Sequence, residues 1–235
     1  MNAPFDLYKL ASLLAAVSFF LPVLLIAIRG LSGNKLLLWF GIYWCWSGLI
    51  NILCSLDFIQ QSSALNFIER LYNLADVPFI LFIIMKTTHV EGIKRSLQKI
   101  LLPLLFIEII ISVITWLSNG METAIVFSGV LLVLFYISWT IFSYSKKNSF
   151  KDSSISYQYI YYALLFEYAT SILIVVYSYI IPDKANNSDN FLIFHISTII
   201  AIATASAGIL TCQVQGSEPK IKKRKFQHEA EIRYL

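Results

Sequence analysis

The feature that most constrains this chain is a succession of seven long apolar runs separated by short polar joints. The runs fall at about Leu7–Ile28, Leu36–Phe58, Leu65–Met85, Leu97–Leu117, Thr123–Tyr144, Tyr157–Ile181 and Phe191–Val214. A helix needs roughly 20 apolar residues to cross about 30 Å of hydrocarbon, and each run reaches that length. Composition agrees, with 14% charged residues against about 25% in soluble domains. We therefore expect an all-α integral membrane protein, a seven-transmembrane-helix bundle. Residues 1–216 would form the membrane domain and residues 217–235 a basic tail. The runs lack the two-residue alternation of barrel strands. The first run exceeds the apolar core of a signal peptide, and Asp6 offsets Lys9 in front of it, so it is expected to stay as the first helix.

Basic residues give an orientation. The joints after the first, third and fifth runs carry Arg29 and Lys35, then Lys86, Lys94, Arg95 and Lys99, then Lys146, Lys147 and Lys151. Six more lie in the tail, and only Lys9, Arg70 and Lys184 of the 18 Lys and Arg residues fall elsewhere. The positive-inside rule then places the N-terminus outside and the C-terminus in the cytoplasm of a cell (inner or plasma) membrane. The other joints, QQSS, SNGME and PDKANNSDN, are polar and turn-rich. Short joints make sequential helices antiparallel neighbours.

Charges inside the runs are the candidates for function, because a charge at mid-bilayer costs at least about 2.5–3.5 kcal/mol. With this orientation Glu69 and Arg70 lie about one turn below the outer surface, near enough to pair locally or to snorkel. Asp76 lies near the middle of the third run, Glu108 halfway along the fourth and Glu167 near the middle of the sixth. His195 lies about one turn below the outer surface in the seventh. Helical spacing puts Glu69, Tyr72, Asn73 and Asp76 on one face. Three further stripes follow the same spacing: Trp44, Ser47, Gly48, Asn51 and Ser55; Glu167, Thr170, Ser171 and Ser178; and His195, Thr198, Ala205 and Gly208. Together they suggest a polar interior opening outward. Small and hydroxylated residues also pack helices against each other, so these stripes have a purely structural reading as well. Pro78 adds to the case for Asp76, since its missing N–H frees the Leu74 carbonyl beside the carboxylate. Tyr157, Tyr159, Tyr161 and Tyr162 are expected in an inner interfacial belt.

Other chemistry is argued against by absence. Cys45, Cys54 and Cys212 have no metal-ligand spacing. Of His89, His195 and His228 only one lies in a run, too few for an intramembrane metallo-hydrolase. There is no HExxH, no GxSxG and no Gly-rich phosphate loop. An enzyme is not the expected class, although a carboxylate-based lipid-modifying enzyme stays as a third reading. The tail KIKKRKFQHEAEIRYL suits anionic lipid head groups or a cytoplasmic partner. It lies against the membrane, so nucleic acid is not expected.

Seven spans, an outside N-terminus and short loops resemble the microbial rhodopsins. Arg70, Tyr72, Asp76 and Pro78 look like the Arg-Tyr-Asp-Pro face that carries a counter-ion carboxylate in that family, though the spacing from Tyr72 to Pro78 is shorter. The resemblance implies a bundle with a site around Asp76. It does not extend to the cofactor. The seventh run, FHISTIIAIATASAGIL, has no lysine, and Ser206 stands roughly where the retinal lysine would be. A Schiff base needs that amine, so covalent retinal is not expected, nor any other cofactor. The chain is also similar to small bacterial seven-helix proteins, a likeness that supplies no role.

Two readings lead. One is a membrane sensor or receptor-like protein, signalling through a cytoplasmic partner at the basic loops and tail. The other is a proton- or ion-coupled transporter or channel using Asp76 and Glu167. Candidate ligand- or ion-binding residues for either are Asp76, Glu167, His195, Asn73, Tyr72, Asn51, Glu69 and Arg70.

Overall fold

The computed structural model describes residues 7–55, 63–117, 122–146, 152–180 and 187–212. Among these it is all-helical: α1 (Leu7–Ser18), α2 (Leu21–Ile28), a 3-10 turn at Leu31–Gly33, α3 (Lys35–Ser55), α4 (Ser63–Thr87), α5 (Glu91–Leu117), α6 (Glu122–Lys146), α7 (Asp152–Ile180) and α8 (Asn187–Thr211). Four stretches are long and apolar enough to cross a membrane: Leu10–Ile28, Lys35–Leu53, Phe127–Ser145 and Leu192–Thr211. Leu13, Ile28, Leu102, Phe106, Ile110, Phe142 and Leu173 face outward and are exposed. Apolar surface on that scale marks contact with a partner or a membrane, and with the four apolar helices it fits a membrane protein.

The first apolar run is two helices. Pro22 sits at the start of α2 and has no N–H to donate back to Ser18. The chain turns through Phe19 and Phe20, whose amides bond to Ala15 O (3.3 Å) and Val17 O (3.2 Å). Pro78 and Pro103 act more mildly, each lying inside an unbroken helix. After α2, Gly30 takes the left-handed conformation (φ 63°), where the missing Cβ removes the steric penalty. Asn34 then caps α3, its Oδ1 accepting from the amides of Leu36 (3.2 Å) and Leu37 (3.4 Å).

Neighbours in sequence pack against each other around the bundle, and the circuit closes because α8 packs on both α1 and α2. Within it α4 touches α3, α5 and α6. The core is correspondingly aromatic and aliphatic, with Phe40, Trp44, Ile80, Leu81, Ile84, Tyr136, Tyr161 and Leu164 all buried. At one end Arg29 donates from Nη1 to Ile209 O at 2.9 Å and also to Leu210 O. A guanidinium on the last carbonyls of α8 meets the negative end of its helix dipole. Beside it Asn34 Nδ2 donates to the Tyr157 hydroxyl at 3.0 Å, and Ser156 and Thr211 hydroxyls lie 3.3 Å apart.

The close approach of α7 and α8 depends on a glycine. A Cβ at Gly208 would lie 2.7 Å from the Tyr159 Cβ and 2.8 Å from the Ser156 carbonyl oxygen. No side-chain rotation relieves a clash with backbone. Gly208→Val should therefore force α7 and α8 apart and cost about 1–3 kcal/mol. Thermal unfolding in detergent should show a lower midpoint. Gly33→Ala, with nothing within 4 Å of its Cβ, should leave the midpoint unchanged.

Candidate functional site

Three helices bring polar side chains together where α3, α4 and α7 meet. Asp76 comes from the middle of α4. The Tyr168 hydroxyl of α7 donates to Asp76 Oδ2 at 2.8 Å, and the Tyr43 hydroxyl of α3 reaches Oδ1 at 3.1 Å. The two hydroxyls are themselves 3.0 Å apart. Three oxygen-bearing groups thus form a closed triangle, with one vertex on each helix. Tyr43 and Tyr168 are buried, at 3% and 4% exposure. Such hydroxyls need partners there, because an unsatisfied polar group in an apolar interior costs roughly 1–3 kcal/mol.

A second layer supports the triangle. Tyr72, one turn before Asp76 on α4, donates to Ser47 Oγ at 3.1 Å, and Ser47 donates to the Tyr43 carbonyl at 3.1 Å. Asn51 Nδ2 donates to the Ser47 carbonyl at 3.0 Å. Glu167, next to Tyr168, is buried and accepts from the Trp44 indole N–H at 3.4 Å. Its own carbonyl accepts from Ser171 at 3.0 Å. Glu167 and Glu108 both lie within electrostatic range of Asp76. Among the described residues no Lys, Arg or His pairs with any of the three; the one ion pair there joins Arg95 to Glu91 on α5, at 3.9 Å.

The expected residues divide clearly. Asp76, Tyr72, Asn51 and Glu167 come together with the helix-spaced neighbours Trp44 and Ser47. Glu108 is buried on α5 among outward-facing Leu105, Phe106, Ile109 and Ile110, and its Oε2 has no partner among the described residues. His195 and Thr198 are buried on α8, and His195 packs edge-on against Phe194 at 5.9 Å. Ser206 is also buried. The side chains of Glu69, Arg70, Asn73 and Ser178 lie outside the described residues. One expectation is corrected. Tyr161 does not belong to an interfacial belt: it is fully buried and shares a hydrogen bond with Thr87 Oγ1 at 2.7 Å. Tyr162, about 100° further round the helix, and Tyr159, about 200° back, do face outward.

The chain matches no protein-family model, no curated protein and no solved structure. The likeness to microbial rhodopsins therefore rests on its residues alone.

Sequence reasoning missed Tyr43 and Tyr168. A signal was available for the first, which stands four residues before Ser47 and eight before Asn51 on the same stripe. Tyr168 had none, because its neighbour Glu167 already claimed the inward direction. Chemically, the triangle can hold or release a proton, and it makes the packing of three helices depend on one carboxylate. Removing one vertex, as in Tyr168→Phe, should cost about 1–3 kcal/mol. The Tyr43→Phe and Tyr168→Phe effects should fail to add, with a coupling of about 0.5–3 kcal/mol in a double-mutant unfolding cycle.

Proposed function

We propose that the protein is a seven-span sensor of the cell membrane, with its N-terminus outside and its C-terminus in the cytoplasm. Its input is taken at Asp76, and its output passes to a cytoplasmic partner through the basic inner joints and tail. One observation carries this reading: a single carboxylate on α4 is tied to hydroxyls from α3 and α7. Whatever adds or removes charge at Asp76 must change how three helices sit together. A run of ring contacts supports transmission towards the inner end, from Trp44 to Phe40 (5.9 Å), Phe40 to Tyr161 (5.9 Å) and Tyr161 to Tyr144 (6.0 Å). The lipid bilayer is the one partner the reading requires at every span.

The closed order of helix contacts and the one-sided distribution of Lys and Arg support the span count and the orientation. A reporter fused after Leu235 should prove cytoplasmic, and an extracytoplasmic signal would reverse the assignment. A second reading, a proton- or ion-coupled transporter, is favoured by a different observation. Asp76, Glu167 and Glu108 lie within electrostatic range across α4, α7 and α5, with no basic partner among the described residues. Acidic groups of this kind inside a membrane bundle often form ion or proton pathways.

Flux in proteoliposomes separates the two. The sensor reading expects no uptake or proton leak above empty vesicles, and it expects capture of a cytoplasmic partner that depends on residues 217–235. Uptake that Asp76→Asn abolishes, with no partner recovered, would establish transport instead.

A further inference from the structure

The triangle can be read by counting hydrogens. Its contacts, at 2.8, 3.0 and 3.1 Å, all lie within hydrogen-bond distance. An ionised carboxylate is an acceptor only, and each tyrosine hydroxyl has one hydrogen to give. With Asp76 ionised, two hydrogens would serve three contacts. One pair of oxygens would then face each other lone pair to lone pair in a buried site, where the low dielectric makes that contact expensive. The surrounding groups cannot make up the deficit. Tyr72 bonds to both Ser47 Oγ and Asp76, and its one hydrogen falls outside the three contacts whichever it serves; the Ser47 hydrogen goes to the Tyr43 carbonyl. With Asp76 protonated the count closes: Asp76 donates to Tyr43, Tyr43 to Tyr168, and Tyr168 back to the other carboxyl oxygen.

We propose that Asp76 holds a proton in this arrangement, and that this proton is the ligand of the site, closing the link between Tyr43 on α3 and Tyr168 on α7. This names the input of the sensor proposed above, and its purpose rests on that reading. When the proton leaves, both tyrosines turn their hydrogens to the carboxylate, and the contact between α3 and α7 loses its hydrogen.

The groups facing Asp76 all bear on when the proton leaves. They are Tyr43 from α3, Tyr72 from its own helix, Tyr168 and Glu167 from α7, and Glu108 from α5. α6 meets α4 here through Gly129 against Val77 and brings no titratable group among the described residues.

Infrared spectroscopy of the full-length protein in lipid vesicles tests this without any variant having to fold. Asp76 is the only one of the six aspartates near the middle of an apolar run; Asp57 lies at the very end of the second. Labelling aspartate with 13C at the side-chain carboxyl should shift a protonated-carboxyl C=O band at neutral pH. That band should disappear at alkaline pH. In Tyr168→Phe it should persist at a changed frequency, because one hydrogen-bond partner is gone. No 13C-sensitive protonated band at neutral pH would overturn the proposal. A band present in a protein that recruits its partner equally at every pH would uphold the proton and dismiss the sensor reading, so the two failures are distinguishable.

Discussion

Everything in this bundle depends on one constraint: a polar group in a low-dielectric interior must find its partner within the chain. Leucines and isoleucines pack against many neighbours equally well and set no register. The hydroxyls do. Tyr168 and Tyr43 on Asp76, Thr87 on Tyr161 and Ser96 on Tyr136 each join two helices at one height and one rotation. A shift of α4 by one residue turns Asp76 about 100°, away from both tyrosines. The carboxylate is therefore a determinant of packing, and a group that fixes the packing also changes it when its charge changes.

Much of the fold was legible because apolar length is a strong signal. The ends of the helices were less so. α5 begins at Glu91 and α7 at Asp152, ahead of the apolar runs expected from Leu97 and Tyr157. Polar residues such as Glu91 and Arg95, paired one turn apart, extend a helix beyond the span that hydropathy can see. The division of the first run into α1 and α2 needed Pro22 to be read as a break, when a proline in such a run is as often a kink.

The site was legible through its charges and not through its tyrosines. A carboxylate in an apolar run stands out on composition alone, which is how Asp76, Glu108 and Glu167 were found. A tyrosine does not, because the same residue serves at membrane interfaces and inside bundles. The error over Tyr161 and the omission of Tyr168 have this one cause. The direction a tyrosine faces is settled by its neighbours in space, and a periodicity argument assigns each stretch only one inward face. Glu167 and Tyr168 are both buried, so α7 presents a wider inward face than a single stripe.

The contact of Arg29 with the end of α8 has a consequence for how the protein is made. Arg29 and the carbonyl of Ile209 are 180 residues apart in sequence. At about 5–20 residues per second of synthesis, the first helices wait roughly 9–36 s for the last one to emerge. During that interval the face of α1 and α2 that α8 will cover has nothing to pack on but lipid or the insertion machinery. The ring closes last where it began, and the arginine bonds only when the whole chain is present.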